Sequence, residues 1–238
     1  MANPQILNIG TDSTYYTTLS TRTESTYTVT APASANTVIF SIGYDEETDG
    51  TDPISTVTWG SRTPSFTIKM IPTNLTDINY RYIKLLSFDV SSEGAISDTA
   101  TLTFSASTSL RDILGVFCTD GFVQSAALNP ERSSRNVYEP AFTGDPDNAG
   151  YLMFTCMDAS NVVYTAVQGT EIFEASISNL SAFGIYNSTA VNDIQTIEFS
   201  SGTTNDASFA SIVLTSRSNL FLGDGTETGP VIKHNVIT

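Results

Sequence analysis

Positive charge is scarce in this chain. Only Lys69, Lys84 and Lys233 carry ammonium groups, and 10 lysines and arginines stand against 25 acids, for a formal net charge of −15. Such a surface is repelled by phosphate backbones and anionic headgroups. Nucleic acid and membrane surfaces are therefore poor partners, and a cation or a basic protein is a better one. Histidine occurs once, as His234, which removes His-based triads and multi-His metal sites. Cys118 and Cys156 form no C-x-x-C and sit in the apolar runs ILGVFC and YLMFTC. They read as small core residues of a protein made in a reducing compartment, a disulfide between them being the less favoured alternative. No G-x-S-x-G elbow, phosphate-binding loop or G-x-G-x-x-G is present. No apolar run approaches the roughly 20 residues that span a bilayer. The opening MANPQILNIGTDSTYY has no basic region followed by a long apolar stretch, so a secretory signal is not expected.

What is abundant is the material of strands. Of the 238 residues, 40% are hydrophobic and 10% aromatic, enough for a sizeable core. Thr and Ser alternate with β-branched and aromatic residues, and Gly, Asp, Asn and Pro punctuate. Strands are expected at 26–30, 37–44, 55–59, 65–70, 80–89, 99–104, 112–119, 150–157, 162–168, 172–178, 184–187, 196–199 and 209–215. In TATLTFS, Ala100, Leu102 and Phe104 fall on one face and Thr99, Thr101 and Thr103 on the other, the period of a half-buried strand. No segment sustains an i, i+3, i+4 apolar pattern, and residues 126–136 and 201–208 hold a helical turn at most. The fold class is all-β, a two-sheet antiparallel sandwich of jelly-roll type. We expect a single sandwich over 26–217 with an N-terminal arm, 1–25, and a C-terminal arm, 218–238. The longest candidate loop, 129–148, would cross between two four-stranded halves.

The chemistry-bearing groups are few. The loop YDEETDGTD gathers Asp45, Glu46, Glu47, Asp49 and Asp52. Its D-x-E-x-D-G spacing matches the start of a calcium loop, with Asp45, Glu47 and Asp49 as the ligands, but Thr56 stands where a bidentate acid is needed. Asp145, Asp147 and Asn148 form a second, weaker cluster. A solvated loop is the plainer account of both, so no cofactor is expected, calcium being the one alternative. Asp112 with Asp120, and Glu171 with Glu174, are the carboxylate pairs a glycosidase would need. Trp59 continues the alternation through Val57 and reads as a core anchor more readily than as a sugar platform. Tyr15 and Tyr16 are candidates for partner contact, since Tyr buries area at little entropic cost.

The run TVIFSIGYDEETDGTDPISTVTWG, then YRYIKLLSFDV, the A-T-L-T-F-S strand and DILGVFCTDGFVQ resemble, in their order, jelly-roll-like β-sandwich domains. Such domains occur in phage virion and tail-associated proteins and in bacterial surface proteins. The resemblance covers roughly residues 35–215. It departs at Thr119-Asp120-Gly121 and at Ser61-Arg62-Thr63. It implies association with a particle or surface and carries over no catalytic residue. The expected function is that of a non-enzymatic virion structural protein, a capsid decoration or other head- or tail-surface component. It would be made in the host cytoplasm, be located in the virion, and bind other virion proteins and copies of itself. The alternatives are a carbohydrate-binding or adhesin-like module taking surface glycans, and a glycoside-active enzyme.

Overall fold

The computed structural model describes residues 4–15, 23–46, 52–70, 80–105, 111–129, 137–138, 149–158, 163–166, 169–177, 180–187, 197–200 and 207–216. All regular structure among them is β. The first strands are β1 (Ile6–Tyr15), β2 (Glu24–Ala31), β3 (Thr37–Glu46), β4 (Ile54–Trp59), β5 (Phe66–Met70), β6 (Tyr80–Asp89), β7 (Ile96–Phe104) and β8 (Arg111–Thr119). Then follow β9 (Phe122–Asn129), β10 (Val137–Tyr138), β11 (Ala149–Asp158), β12 (Val163–Ala166), β13 (Thr170–Ile177), β14 (Leu180–Asn187), β15 (Ile197–Ser200) and β16 (Ala207–Thr215). Every strand pair is antiparallel.

The strands sort into four sheets: A (β1-β8-β3-β6-β5), B (β2-β7-β4), C (β13-β14-β11-β16-β9) and D (β10-β15-β12). An eight-stranded antiparallel ribbon pairs strand 1 with 8, 2 with 7 and 3 with 6, and rolling it up sets 8 beside 3 and 7 beside 4. That is the jelly roll. All five of these pairings occur within β1–β8, and all five recur, shifted by eight strands, within β9–β16. Each half also departs from the ideal in the same way, since its fifth strand pairs with its sixth and not its fourth. Thus β1–β8 and β9–β16 have one topology repeated. In the first half the departure has a local cause. Pro64 cannot extend the β4 ladder, and Ser65 instead donates its N–H to the Ser87 carbonyl, steering β5 onto β6.

Two hydrophobic clusters stand out among the described residues. Sheet B covers one face of sheet A, burying Phe40, Trp59, Phe88, Leu102 and Leu114 among others. Sheet C covers the other face, burying Ile39, Phe117, Leu152, Phe154, Phe173 and Ile212. Phe117 meets Phe154 and Phe173 with ring centroids 5.0 and 5.7 Å apart. Sheet A is therefore buried on both faces, and that is why DILGVFC reads as a continuous apolar run. Sheet B is covered on one face only, so β2 alternates exposed and buried along its whole length, and in TATLTFS buried residues alternate with exposed or half-buried ones.

The crossing between the halves lies at Asp120 and Gly121, the two residues between β8 and β9, and not in 129–148. Residues 126–129, expected to allow a helical turn, belong to β9. Cys118 is a free, buried thiol, so the disulfide alternative falls away.

Candidate functional site

Three polar constellations and one open edge stand out. The first is buried at the end of the A–B core. Lys84 occupies an inward position on β6, between Tyr82 and Leu86, and is 7% exposed. Its Nζ lies 2.9 Å from Asp52 Oδ2 and donates to the Ile54 carbonyl at 2.9 Å. Asp52 Oδ1 accepts from Tyr44 Oη at 2.8 Å and from the Ile54 N–H at 3.0 Å. Tyr44 stacks on Tyr82, ring centroids 5.0 Å apart, and lies opposite Asp112 in the β3–β8 register. Asp112 is fully buried and accepts from Tyr27 Oη of the facing sheet. Burial pushes the Asp52 carboxyl upward. The Lys84 hydrogen bond and charge, with the bonds from Tyr44 and Ile54, outweigh it and hold the group below the usual carboxylate range. This constellation ties the β3–β4 connection to β6 and one sheet to the other.

The second constellation closes the β4–β5 turn. Arg62 binds Glu93 through Nε at 2.9 Å and through Nη2 at 2.5 Å, and Asp98 through Nη1 at 3.1 Å. Its guanidinium lies 4.7 Å from the Trp59 ring centroid. Trp59 itself is wholly buried against Phe40 and Phe88. It is a core anchor, and a sugar platform would have to be another residue.

The third is the junction of the halves. The Gln5 N–H donates to Asp120 Oδ1 at 2.7 Å, and Thr37 Oγ1 donates to the Gly121 carbonyl at 2.8 Å. Asn36 Nδ2 donates to the Asp120 carbonyl, and Tyr186 Oη of β14 donates to the Pro4 carbonyl. Burial, with the Asp120 charge adding to it, pushes the Tyr186 hydroxyl well above its ordinary value. The segment preceding β1 is thus bonded to both halves.

The open edge is the seam where β1 of sheet A overlies β2 of sheet B. Among the described strands each has a partner on one side only. A cavity of about 140 Å³ lies between them, lined among others by Asn8, Gly10, Tyr27, Val29, Leu114 and Val116. Asn8 Nδ2 reaches the Thr30 carbonyl across the seam at 3.5 Å. Leu7 and Ile9, 37% and 40% exposed, are the exposed large hydrophobics among the described residues.

The sequence-derived candidates fare unevenly. Asp45 is the penultimate residue of β3, its backbone opposite Arg81 and Arg111. Glu47 and Asp49 lie outside the described residues, as do Asp145, Asp147, Asn148, His234 and Tyr16. Asp52, a member of the same acidic loop, is held by Lys84. Among the described residues no three His, Cys, Asp or Glu side chains gather as a metal group. Asp112 and Asp120 stand at opposite ends of β8, about 27 Å apart at roughly 3.4 Å per residue, too far to share a glycosidic bond. Glu171 and Glu174 are both exposed on β13, an edge strand. Tyr15 ends β1, opposite Arg111. Sequence reasoning missed the Lys84–Asp52 pair, although a lysine inside the apolar run YRYIKLLSFDV was a signal for it. No protein-family model, curated protein or solved structure matches the chain.

Proposed function

We propose that this protein works by assembly and not by catalysis, as a structural component of a virion, most simply a capsid decoration or other head- or tail-surface protein. The observation that supports this reading is the β1 edge. Edge strands of proteins that stay single are shielded by charge, proline or a bulge that turns them away. β1 has a register shift between Ile6 and Asn8, but its sequence ILNIGTDSTY has one charge and no proline. On a chain of net charge −15 an edge with a single charge offers an approaching protein little repulsion. Jelly rolls also build viral shells and lectins, which makes the virion a fold-level analogy with precedent. Glycan binding, the other reading, would need an exposed aromatic in place of Trp59. The test is mass spectrometry of purified particles, with light scattering on the isolated chain. High copy number in particles and self-association are expected. A chain found only in the soluble fraction of infected cells overturns the virion assignment.

A further inference from the structure

We infer that β1 is a self-complementary interface, which pairs antiparallel with β1 of a second copy across a two-fold axis and fuses the two A sheets. The inference rests on the assembly reading above and names its partner. An isologous contact needs a surface that is complementary to itself. With the axis at Ile9, Ile9 faces its own mate, Leu7 faces Thr11, Asn8 faces Gly10 and Asp12 faces Ile6. No acid meets an acid in this register, because Asp12 is the one charged residue of the strand. Like charges directly opposed would destabilise such a pair, so an isolated acid placed off the axis is what self-pairing tolerates. The exposed large hydrophobics among the described residues, Leu7 and Ile9, then shield each other and their mates. Asn8 and Gly10 line the cavity against β2, so a second β1 laid along this edge also covers the mouth of the seam. Main-chain hydrogen bonds along the edge supply the attraction, and the alternate side chains set the register.

The experiment uses the full chain. Light scattering across a concentration series should give a dimer or a multiple of it. The double substitution Leu7→Lys with Ile9→Lys should weaken association about a hundredfold, since like charges are then opposed across the axis, with the circular dichroism unchanged. In a Cys156→Ser background, Ile9→Cys should oxidise to a covalent dimer much faster than Thr26→Cys, an exposed control on β2. Buried Cys118 does not compete. A chain that is monomeric throughout overturns both this inference and the assembly reading. An oligomer that survives the lysine pair leaves assembly standing and overturns β1 pairing. The inference is also overturned if β1 amides are protected from exchange in a monomer and lose that protection on Ile232→Pro with Val236→Pro, because the chain's own residues 231–238 would then cover the edge.

Discussion

A lysine buried at the end of a β-sandwich core is tolerated because each of its neighbours answers it. Lys84 is neutralised by Asp52 and bonded to the Ile54 carbonyl, and Asp52 accepts from Tyr44 and Ile54 as well as from Lys84. Removing one charge of such a pair strands the other, which typically costs about 3–5 kcal/mol, whereas replacing both by apolar side chains of similar volume is often neutral. Lys84→Met should therefore lower the urea midpoint sharply, and Lys84→Met with Asp52→Leu should recover most of the loss. The pH dependence has a fixed sign. Asp52 is held below its ordinary value of 3.8. Its contribution is thus complete above that pH and is lost as pH falls through the folded-state value. Asp52→Asn should be less stable than the parent at neutral pH and should lose less on acidification below about pH 4. Equal losses in the two proteins, compared by urea midpoints at neutral and acid pH, would show that Asp52 is not the acid-sensitive group.

At the scale of elements, the strands that sequence exposes are those whose environment writes a plain pattern. β7 lies in sheet B with one face covered, so Ala100, Leu102 and Phe104 are buried and Thr99, Thr101 and Thr103 are not. β8 is covered on both faces and appears as an apolar run. β1 and β9 were illegible for physical reasons. β1 is an edge strand whose partner β8 lies more than 90 residues on, and its Thr, Ser and Asp residues resemble those of an arm. β9 contains Ala126 and Ala127, which favour helix, and only pairing with β16 makes it a strand. The polar sites were harder still, because Lys84 and Asp52 are 32 positions apart and no spacing rule joins them. The same non-local logic governs the junction. A Cβ on Gly121 would fall 2.6 Å from Pro4 Cβ and 3.2 Å from the Thr215 carbonyl oxygen. Gly121→Ala should push Pro4 away, break the Gln5–Asp120 and Tyr186–Pro4 bonds and loosen the start of β1. Faster amide exchange at Gln5 and Ile6, with β11 and β14 unchanged, is the expected result. Unaltered exchange at Gln5 would mean that Pro4 accommodates the methyl group and does not fix the strand.

On the scale of the whole molecule, the repeated topology suggests two bodies, but the packing argues for one. Sheets A and C are the five-stranded sheets of the two halves, and each turns a face to the other. Their shared core holds Phe117 from the first half and Phe154 and Phe173 from the second, so neither half can bury its large sheet alone. A half unfolded from its mate would expose a broad apolar face, and the cooperative unit should therefore be the pair. Phe154→Ala provides the test, because it removes a wholly buried ring in contact with Phe117. The loss expected for a buried Phe→Ala change is about 3–5 kcal/mol. If the halves are coupled, the calorimetric trace keeps a single transition that moves to lower temperature, and amides of β3 and β8 lose protection together with those of β11 and β14. Two separated transitions, with the first half melting where it does in the parent, would show instead that sheet A is stable with sheet B alone. The A–C contact would then be a docking of independent units, free to shift when copies join through β1.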